Sequence, residues 1–474
     1  MYSILLLGLI SAIASLLVTP VVRNLFLHWN LVDKPDPRKL HSRRIPRVGG
    51  VAIAIAYLTA FGVLLVIGWS AGQLVWSART DIWHLFPAAA VIFAVGLADD
   101  LLNLEPWQKL IGQLVAAVLA VYAGVHASGV GPYQLGTPWS YMLTIGWLLL
   151  CTNAVNLIDG IDGLAAGVGL FATITTLLAA LLQNNVELAL ATAPLAGALL
   201  GFLRYNFNPA TIFLGDSGSL LVGFLLGCFG VIWSQKSATI LGMTAPLMAL
   251  AIPLLDTLLA IVRRFLRRQP IFGPDRGHIH HRLLERGYTH RKAALVLYVC
   301  CAVGAFASLG VMNQSISGFV IVIFCGAAWL GVQHLGYIEF GLLGRMFIEG
   351  AFRRQLSAQI ALHCLERELT AATTPSDCLQ CLQTAAREFG FHHVEVEIGD
   401  HRLEYTDPVQ PIQCWTIRVP IADRAFIQLS REFNVLGYAT AVAAFADIVR
   451  RTLLPKLQIF ESTPAIVRIA SSRD

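Results

Sequence analysis

The chain is dominated by uninterrupted apolar runs separated by short polar intervals. Runs of about 17–25 apolar residues are long enough to cross a bilayer as helices. Eleven runs of about that length occur, at roughly 2–22, 48–68, 85–101, 107–126, 141–158, 164–182, 188–203, 219–234, 239–261, 293–312 and 316–336. After Tyr337 the pattern changes to that of a water-exposed domain. Segments 345–369, 376–389 and 438–453 read as helices, Val394–Ile398 and Trp415–Ile421 alternate as strands do, and Gly399-Asp400 marks a turn. The pattern predicts an all-α polytopic membrane domain of about eleven transmembrane helices over 1–336, followed by a small α+β domain over 341–474.

Composition agrees: 56% of the residues are hydrophobic and 13% charged, with a mean hydropathy of +0.65. Soluble domains hold roughly 45–50% apolar and about 25% charged residues, so a soluble enzyme or binding module is excluded. The net charge of +5 is modest, but its distribution is informative. If the first run starts outside, the inside intervals are 23–47, 102–106, 159–163, 204–218, 262–292 and everything after 336. Up to residue 292 they hold eighteen lysines and arginines (seven in 23–47, one in 204–218, nine in 262–292, and Lys109 on a border), against Arg79 and Lys236 outside. Positive charge marks the cytosolic side, which places every polar cluster and the C-terminal domain in the cytosol. Segregated charge of this kind speaks for topology and against nucleic acid. The nine cysteines are mostly single residues in apolar runs or in the cytosolic region, so no disulfide framework is expected. Cys378 and Cys381 have no second pair to complete a zinc site and read as buried helix residues. Met1 leads directly into an apolar run with no basic leader, which reads as a retained span.

The most telling interruption is Cys151-Thr152-Asn153-Ala154-Val155-Asn156-Leu157-Ile158-Asp159-Gly160-Ile161-Asp162-Gly163-Leu164. Asn153 and Asn156 lie about 60° apart on a helix, while Asp162 would have rotated to the far side. One straight helix cannot present all four polar residues. Gly160 and Gly163 allow the helix to break and the loop to curl Asp159 and Asp162 back into an oxygen-lined cup. A polar helix end punctuated by glycines is the plainer alternative.

Four further clusters fall on the same face. Pro46-Arg47-Val48-Gly49-Gly50 closes a basic loop suited to phosphate, or to the positive-inside rule alone. Asp99 and Asp100 end the third run, with Asn103 and Lys109 beyond. Paired acids at a hydrocarbon border are costly unless they hold a cation or a proton, although acids solvated by headgroups are also compatible. Adjacent helical residues point about 100° apart, so the two acids should play different parts, with Asp100, nearer the loop, read as the base. The loop from Asn206 and Asn208 through Phe213 to Gly215-Asp216-Ser217-Gly218-Ser219 places a carboxylate at a helix N-terminus, as a metal ligand or an ordinary cap. Its Asn206, Asn208 and Phe213 are of the kind that recognise a base. Finally, Arg276-Gly277-His278-Ile279-His280-His281-Arg282 surrounds histidines with arginines, which favours an anion over zinc, with a solvated basic loop at the membrane surface as the plainer alternative.

In these five motifs, over residues 1–336, the chain resembles the polyprenyl-phosphate N-acetylhexosamine-1-phosphate transferases, and within them the bacterial undecaprenyl-phosphate GlcNAc-1-phosphate transferase branch of glycosyltransferase family 4. The resemblance implies transfer of a sugar 1-phosphate from a UDP-N-acetylhexosamine to undecaprenyl phosphate with release of UMP, at the cytosolic face of the bacterial inner membrane. It implies Mg²⁺, or Mn²⁺, held by Asp216 and Asn156, and Asp99, Asp100, Asp159 and Asp162 as catalytic acids. Lys109, Asn103 and Asn153 would contact substrate, Asn206 and Phe213 uracil, and Arg276, His278, His280, His281 and Arg282 the phosphate and sugar. His-Ile-His-His departs from the all-histidine run of phospho-N-acetylmuramoyl-pentapeptide transferases, which leaves lipid I synthesis as the second reading. A cation-coupled transporter is the rival from another class, but its acids would lie near the membrane midplane. Partners would be the UDP-sugar, the lipid phosphate and membrane lipid, without nucleic acid, and a homodimer is compatible with the pattern. The C-terminal domain resembles a shortened GAF-like domain in the order of its elements and extends beyond the core family.

Overall fold

The computed structural model describes residues 2–32, 44–67, 79–127, 129–130, 133–134, 136–235, 244–266, 269, 277–313, 315–335, 351–398, 401–407, 413–422, 425–433, 441–459 and 467–468. The chain divides into two compact units, Met1–Gly336 and Tyr337–Asp474.

The first unit is helical. Its elements are α1 (Tyr2–His28), α2 (Gly49–Ile67), α3 (Arg79–Leu102), α4 (Pro106–Tyr122), α5 (Thr137–Ile158), α6 (Leu164–Leu182), α7 (Val186–Asn206), α8 (Gly215–Gln235), α9 (Thr244–Ala249), α10 (Ala251–Leu266), α11 (Ile279–Glu285), α12 (His290–Val311) and α13 (Ser317–His334). A two-residue hairpin, β1 (Gly129–Val130) with β2 (Tyr133–Gln134), lies between α4 and α5. Among the described residues nine helices are long and apolar enough to cross a membrane: α1, α2, α3, α5, α6, α7, α8, α12 and α13. The other two expected crossings differ. The run at 107–126 yields only the 17-residue α4, because Gly124 takes a left-handed φ of 94° and ends the helix early. The run at 239–261 is divided at Leu250 into α9 and α10. Pro253, four residues after Ala249, has no N–H for that carbonyl, which accounts for the interruption.

Helices in a bilayer gain little from burying apolar surface against each other, so close packing by small residues has to hold them. At the α1–α7 seam a Cβ on Gly197 would lie 2.0 Å from the Gly8 carbonyl oxygen, and one on Gly201 would lie 2.6 Å from that of Ala12. The same seam carries two hydroxyl bonds, Ser11 Oγ to the Pro194 oxygen at 2.7 Å and Ser15 Oγ to the Ala198 oxygen at 2.8 Å. Helix α8 is the central element and packs against α2, α3, α5, α6 and α7. Gly223 and Gly227 seat it on α5, where Trp147 Nε1 donates to the Gly227 oxygen at 3.0 Å.

In the second unit α14 (Ala351–Ala371), α15 (Pro375–Phe389) and α16 (Ala441–Ile459) accompany a five-stranded sheet in the order β5-β6-β3-β4-β7. The strands are β3 (His393–Ile398), β4 (His401–Thr406), β5 (Cys414–Ala422), β6 (Ala425–Glu432) and β7 (Val467–Arg468); β7 runs parallel to β4 and the other pairs are antiparallel. Leu369, Cys378, Phe389, Phe391, Val396, Ile427 and Phe445 form its core, with Cys381 packed against it. Lys456 donates to the carbonyls of Leu369, Thr370 and Ala372 and so neutralises the C-terminus of α14.

The α1–α7 seam gives a direct test. Gly197→Leu should lower the unfolding temperature in detergent by roughly 5 °C or more, since overpacking costs about 1–3 kcal/mol. Gly62→Leu, where an added Cβ meets nothing within 4 Å, should change it by less than about 2 °C, and equal effects would contradict the packing argument.

Candidate active site

The site is built around the N-terminus of α8. Gly215 enters the helix with φ 73°, and the two residues before it bond to the segment that leads into α2. Phe213 N–H donates to the Pro46 oxygen at 2.9 Å, Gly49 N–H to Phe213 at 2.9 Å, and Gly50 N–H to Leu214 at 3.0 Å. Three glycines permit the approach: a Cβ on Gly50 would lie 2.3 Å from Gly218 N, one on Gly96 2.4 Å from the Asp216 oxygen, and one on Gly215 2.1 Å from the Arg47 oxygen. The C-terminal end of α3 is thereby pressed against the first turn of α8. Those first-turn N–H groups have no partner within their own helix and carry its positive dipole end. Asp100 meets them, its Oδ1 accepting from Asp216 N–H at 2.7 Å and its Oδ2 from Ser217 N–H at 2.9 Å.

Asp99 points the other way, as the 100° step requires. Its Oδ1 accepts from Leu104 N–H at 2.9 Å and its Oδ2 holds Lys109 Nζ at 3.0 Å. Lys109 also makes a short contact with Asp216 Oδ2, and Arg47 lies 3.5 Å from Asp216 Oδ1. Asp99, Lys109 and Asp216 thus form a compact triad where α3, α4 and α8 meet. Asn103 sits outside it: exposed, with φ 52°, it ends α3 in the left-handed conformation that asparagine tolerates.

The four polar residues of the 153–162 stretch do not converge on one cup. Asn153 turns to α4 and pairs with Gln113, donating to Oε1 at 2.6 Å and accepting from Nε2 at 3.3 Å. Asn156 turns to α8 and donates to Ser219 Oγ at 2.8 Å. Asp162 Oδ2 accepts from Asn208 Nδ2 at 2.9 Å and Ala210 N–H at 3.0 Å, tying its loop to the one before α8. Asp159 stays in the field of Asp216, Arg47 and Asp100; burial, and then the charge of Asp216, push its carboxyl up to about 8. At the end of α7 Asn206 is turned inward and donates to the Ile212 oxygen at 3.0 Å, whereas in the loop that follows the Phe213 ring is partly exposed.

Arg276 lies outside the described residues. The histidines after it are held from two sides. His278 Nδ1 is 3.0 Å from Asp256 Oδ2, Ile279 N–H donates to Asp256 Oδ1 at 2.8 Å, and Arg263 donates to the Gly277 oxygen at 3.0 Å. On the other side the His280 ring rests on Gly160, where a Cβ would lie 2.4 Å from Nε2. This contact brings the histidine segment to the Asp159 loop. His280 is 2% exposed, and burial lowers its imidazole to about 4, so the ring is neutral. The His281 ring centre is 4.3 Å from that of His280, and Arg282 pairs with Glu285 at 3.8 Å. Sequence reasoning missed Asp256, Arg263 and Tyr298, whose hydroxyl donates to the Gly163 oxygen at 2.6 Å. Asp256 had a signal, as a lone acid inside an apolar run; Tyr298 had none.

Residues 82–234 match the family model described as glycosyl transferase family 4. Over 323 residues, covering 67% of this chain and 87% of the relative, the sequence is 34% identical to the "Probable undecaprenyl-phosphate N-acetylglucosaminyl 1-phosphate transferase" of Bacillus subtilis (strain 168). It is 36% identical over 329 residues, 64% of this chain and 80% of the relative, to the "Decaprenyl-phosphate N-acetylglucosaminephosphotransferase" of Mycolicibacterium smegmatis. It is 30% identical over 303 residues, 60% and 77%, to the "Undecaprenyl-phosphate alpha-N-acetylglucosaminyl 1-phosphate transferase" of Escherichia coli (strain K12).

The raised carboxyl of Asp159 carries a stability prediction. Its folded value near 8 lies above the ordinary 3.8, so ionising it opposes folding increasingly as pH rises between those values. With chelator present, Asp159→Asn should unfold several degrees above the unsubstituted protein at pH 8.5. The gap should narrow steadily toward pH 4; a gap independent of pH would refute the assignment.

Proposed function

The chain belongs to the polyprenyl-phosphate N-acetylhexosamine-1-phosphate transferases of glycosyl transferase family 4, and from that premise we propose that it transfers N-acetylglucosamine 1-phosphate from UDP-N-acetylglucosamine to undecaprenyl phosphate, releasing UMP. The observation that carries this reading is Lys109 held between Asp99 and Asp216 where three helices end. A hydrophobic lipid phosphate can reach such a place from the bilayer, and a nucleotide sugar can reach it from water.

The donor set fits a hard divalent cation. Asp99 and Asp216 share the Lys109 ammonium, which supplies positive charge between them. Among the described residues no three acids, histidines or cysteines form a ready-made metal site. That suits Mg²⁺, or Mn²⁺, which takes few protein ligands and completes its shell with water and substrate phosphates. Asp216 would hold the ion, with the amide oxygen of Asn156, and it would supply charge neutralisation at the diphosphate. Lys109 then binds a diphosphate oxygen. Asp100 has both oxygens on backbone N–H groups of α8, so the proton from the acceptor phosphate is assigned to Asp99, whose Oδ2 is held by the Lys109 side chain and is released when Lys109 turns to the diphosphate. Asp100 positions α8, and Asp162 positions the loop that carries Phe213.

The lysine and arginine distribution supports a cytosolic site and C-terminal unit in a bacterial inner membrane. His-Ile-His-His and relatives named for N-acetylglucosamine do not favour lipid I synthesis. Acids gathered at helix ends rather than mid-membrane do not favour a transporter.

Purified protein incubated with radiolabelled UDP-N-acetylglucosamine, undecaprenyl phosphate and Mg²⁺ should yield a labelled lipid. Asp216→Asn should slow this by more than about 100-fold, the scale of lost electrostatic stabilisation, with little change in unfolding temperature. Retention of more than roughly a tenth of the rate would contradict the role given to Asp216.

A further inference from the structure

Helix α10 presents two buried charged side chains, Asp256 at 1% and Arg263 at 3% exposure, to the segment that follows it. They are seven residues apart, two turns of helix, and so lie on one face. Between them they grip three successive residues. Arg263 donates to the Gly277 oxygen, and its guanidinium fills the space a side chain at 277 would need, with a Cβ there only 2.4 Å from Cζ. Asp256 takes Ile279 N–H with Oδ1 and faces His278 Nδ1 with Oδ2 at 3.0 Å. A buried carboxylate is costly unless bonded; Asp256 is bonded through both oxygens, one of them to an imidazole that can carry the opposite charge.

We propose that Asp256 is a positioning residue for donor binding: it fixes His278 with a proton on Nδ1, so that Nε2, on the opposite side of the ring, is the nitrogen offered to the diphosphate of the nucleotide sugar. The carboxylate orients the ring through Nδ1, and an imidazole that also carries a proton on Nε2 donates it to an anion. Among the described residues the charged and titratable groups around His278 are Asp256, His280, whose ring is parallel to it at 5.8 Å, His281 beyond, and Arg263 on the shared helix face. The proposal rests on the reading of the histidines as part of the donor site.

The test is a double-substitution cycle on the full chain, with KM for UDP-N-acetylglucosamine and kcat measured separately. His278→Ala and Asp256→Asn should each raise KM about tenfold or more, with a smaller fall in kcat. Asp256→Asn replaces the acceptor at Nδ1 by an amide that can present a donor, yet keeps an oxygen for Ile279 N–H. Combined with His278→Ala it should change KM by less than about twofold further. An unchanged KM in His278→Ala would overturn the donor-site reading of the histidines, and this proposal with it. A raised KM in His278→Ala together with an unaffected Asp256→Asn, or with additive effects, would overturn the proposal alone. A second measurement needs no variant at Asp256. In ¹⁵N-histidine spectra of the unsubstituted protein, the ring absent from His278→Ala should have a protonated Nδ1; a neutral ring protonated only at Nε2 would overturn the assignment.

Discussion

The arrangement depends on one interaction across two helices: the Asp100 carboxylate closing the first turn of α8 from the end of α3. A hydrogen bond to a charged group contributes about 1.5–3 kcal/mol, and Asp100 makes two. More important than their sum is their direction. They fix the axial position of α8 relative to α3, and with it the place of Asp216 beside Asp99 and Lys109. Without that anchor, Gly215 and the neighbouring glycines would leave the helix end free to choose among several conformations. The anchor also separates two adjacent acids into different tasks, Asp100 toward backbone N–H groups and Asp99 toward Lys109.

Small residues make this anchor reachable. Gly50, Gly96 and Gly215 admit backbone where a methyl group would collide, and Gly197 and Gly201 do the same at the α1–α7 seam. Gly160 extends the principle to the histidines, because its bare Cα is the surface on which His280 rests. The site is therefore assembled from helix ends that touch through glycine and are held by carboxylates: Asp100 for α8, Asp162 for the loop before it, and Asp256 for the histidine segment. In each case the acceptor is aimed at backbone N–H groups that would otherwise be unpaired.

Much of this was legible in the sequence, and the exceptions have physical reasons. Apolar run length located the helices of the first unit, since a bilayer sets a minimum length; it could not see that Gly124 shortens α4 or that Pro253 divides α9 from α10. Charge placed the motif loops on one side, and hydrogen bonds between residues 46–50, 100, 162 and 208–217 join them there. Periodicity alone could not tell which polar residues meet. Asn153 and Asn156 are close on the helix surface, yet one bonds α4 and the other α8, because neighbouring helices on each side decide the outcome. Asp256 escaped notice since a window averaged over an apolar run absorbs one acid.

The central claim is that Asp100 pins the start of α8, and the amide protons of Asp216 and Ser217 report on it directly. Hydrogen exchange followed in peptides spanning residues 213–220 should be faster in Asp100→Ala by roughly tenfold or more, as the loss of bonds worth over about 1.4 kcal/mol requires. Asp99→Ala should leave those amides protected. Unchanged exchange at Asp216 and Ser217 in Asp100→Ala would contradict the account.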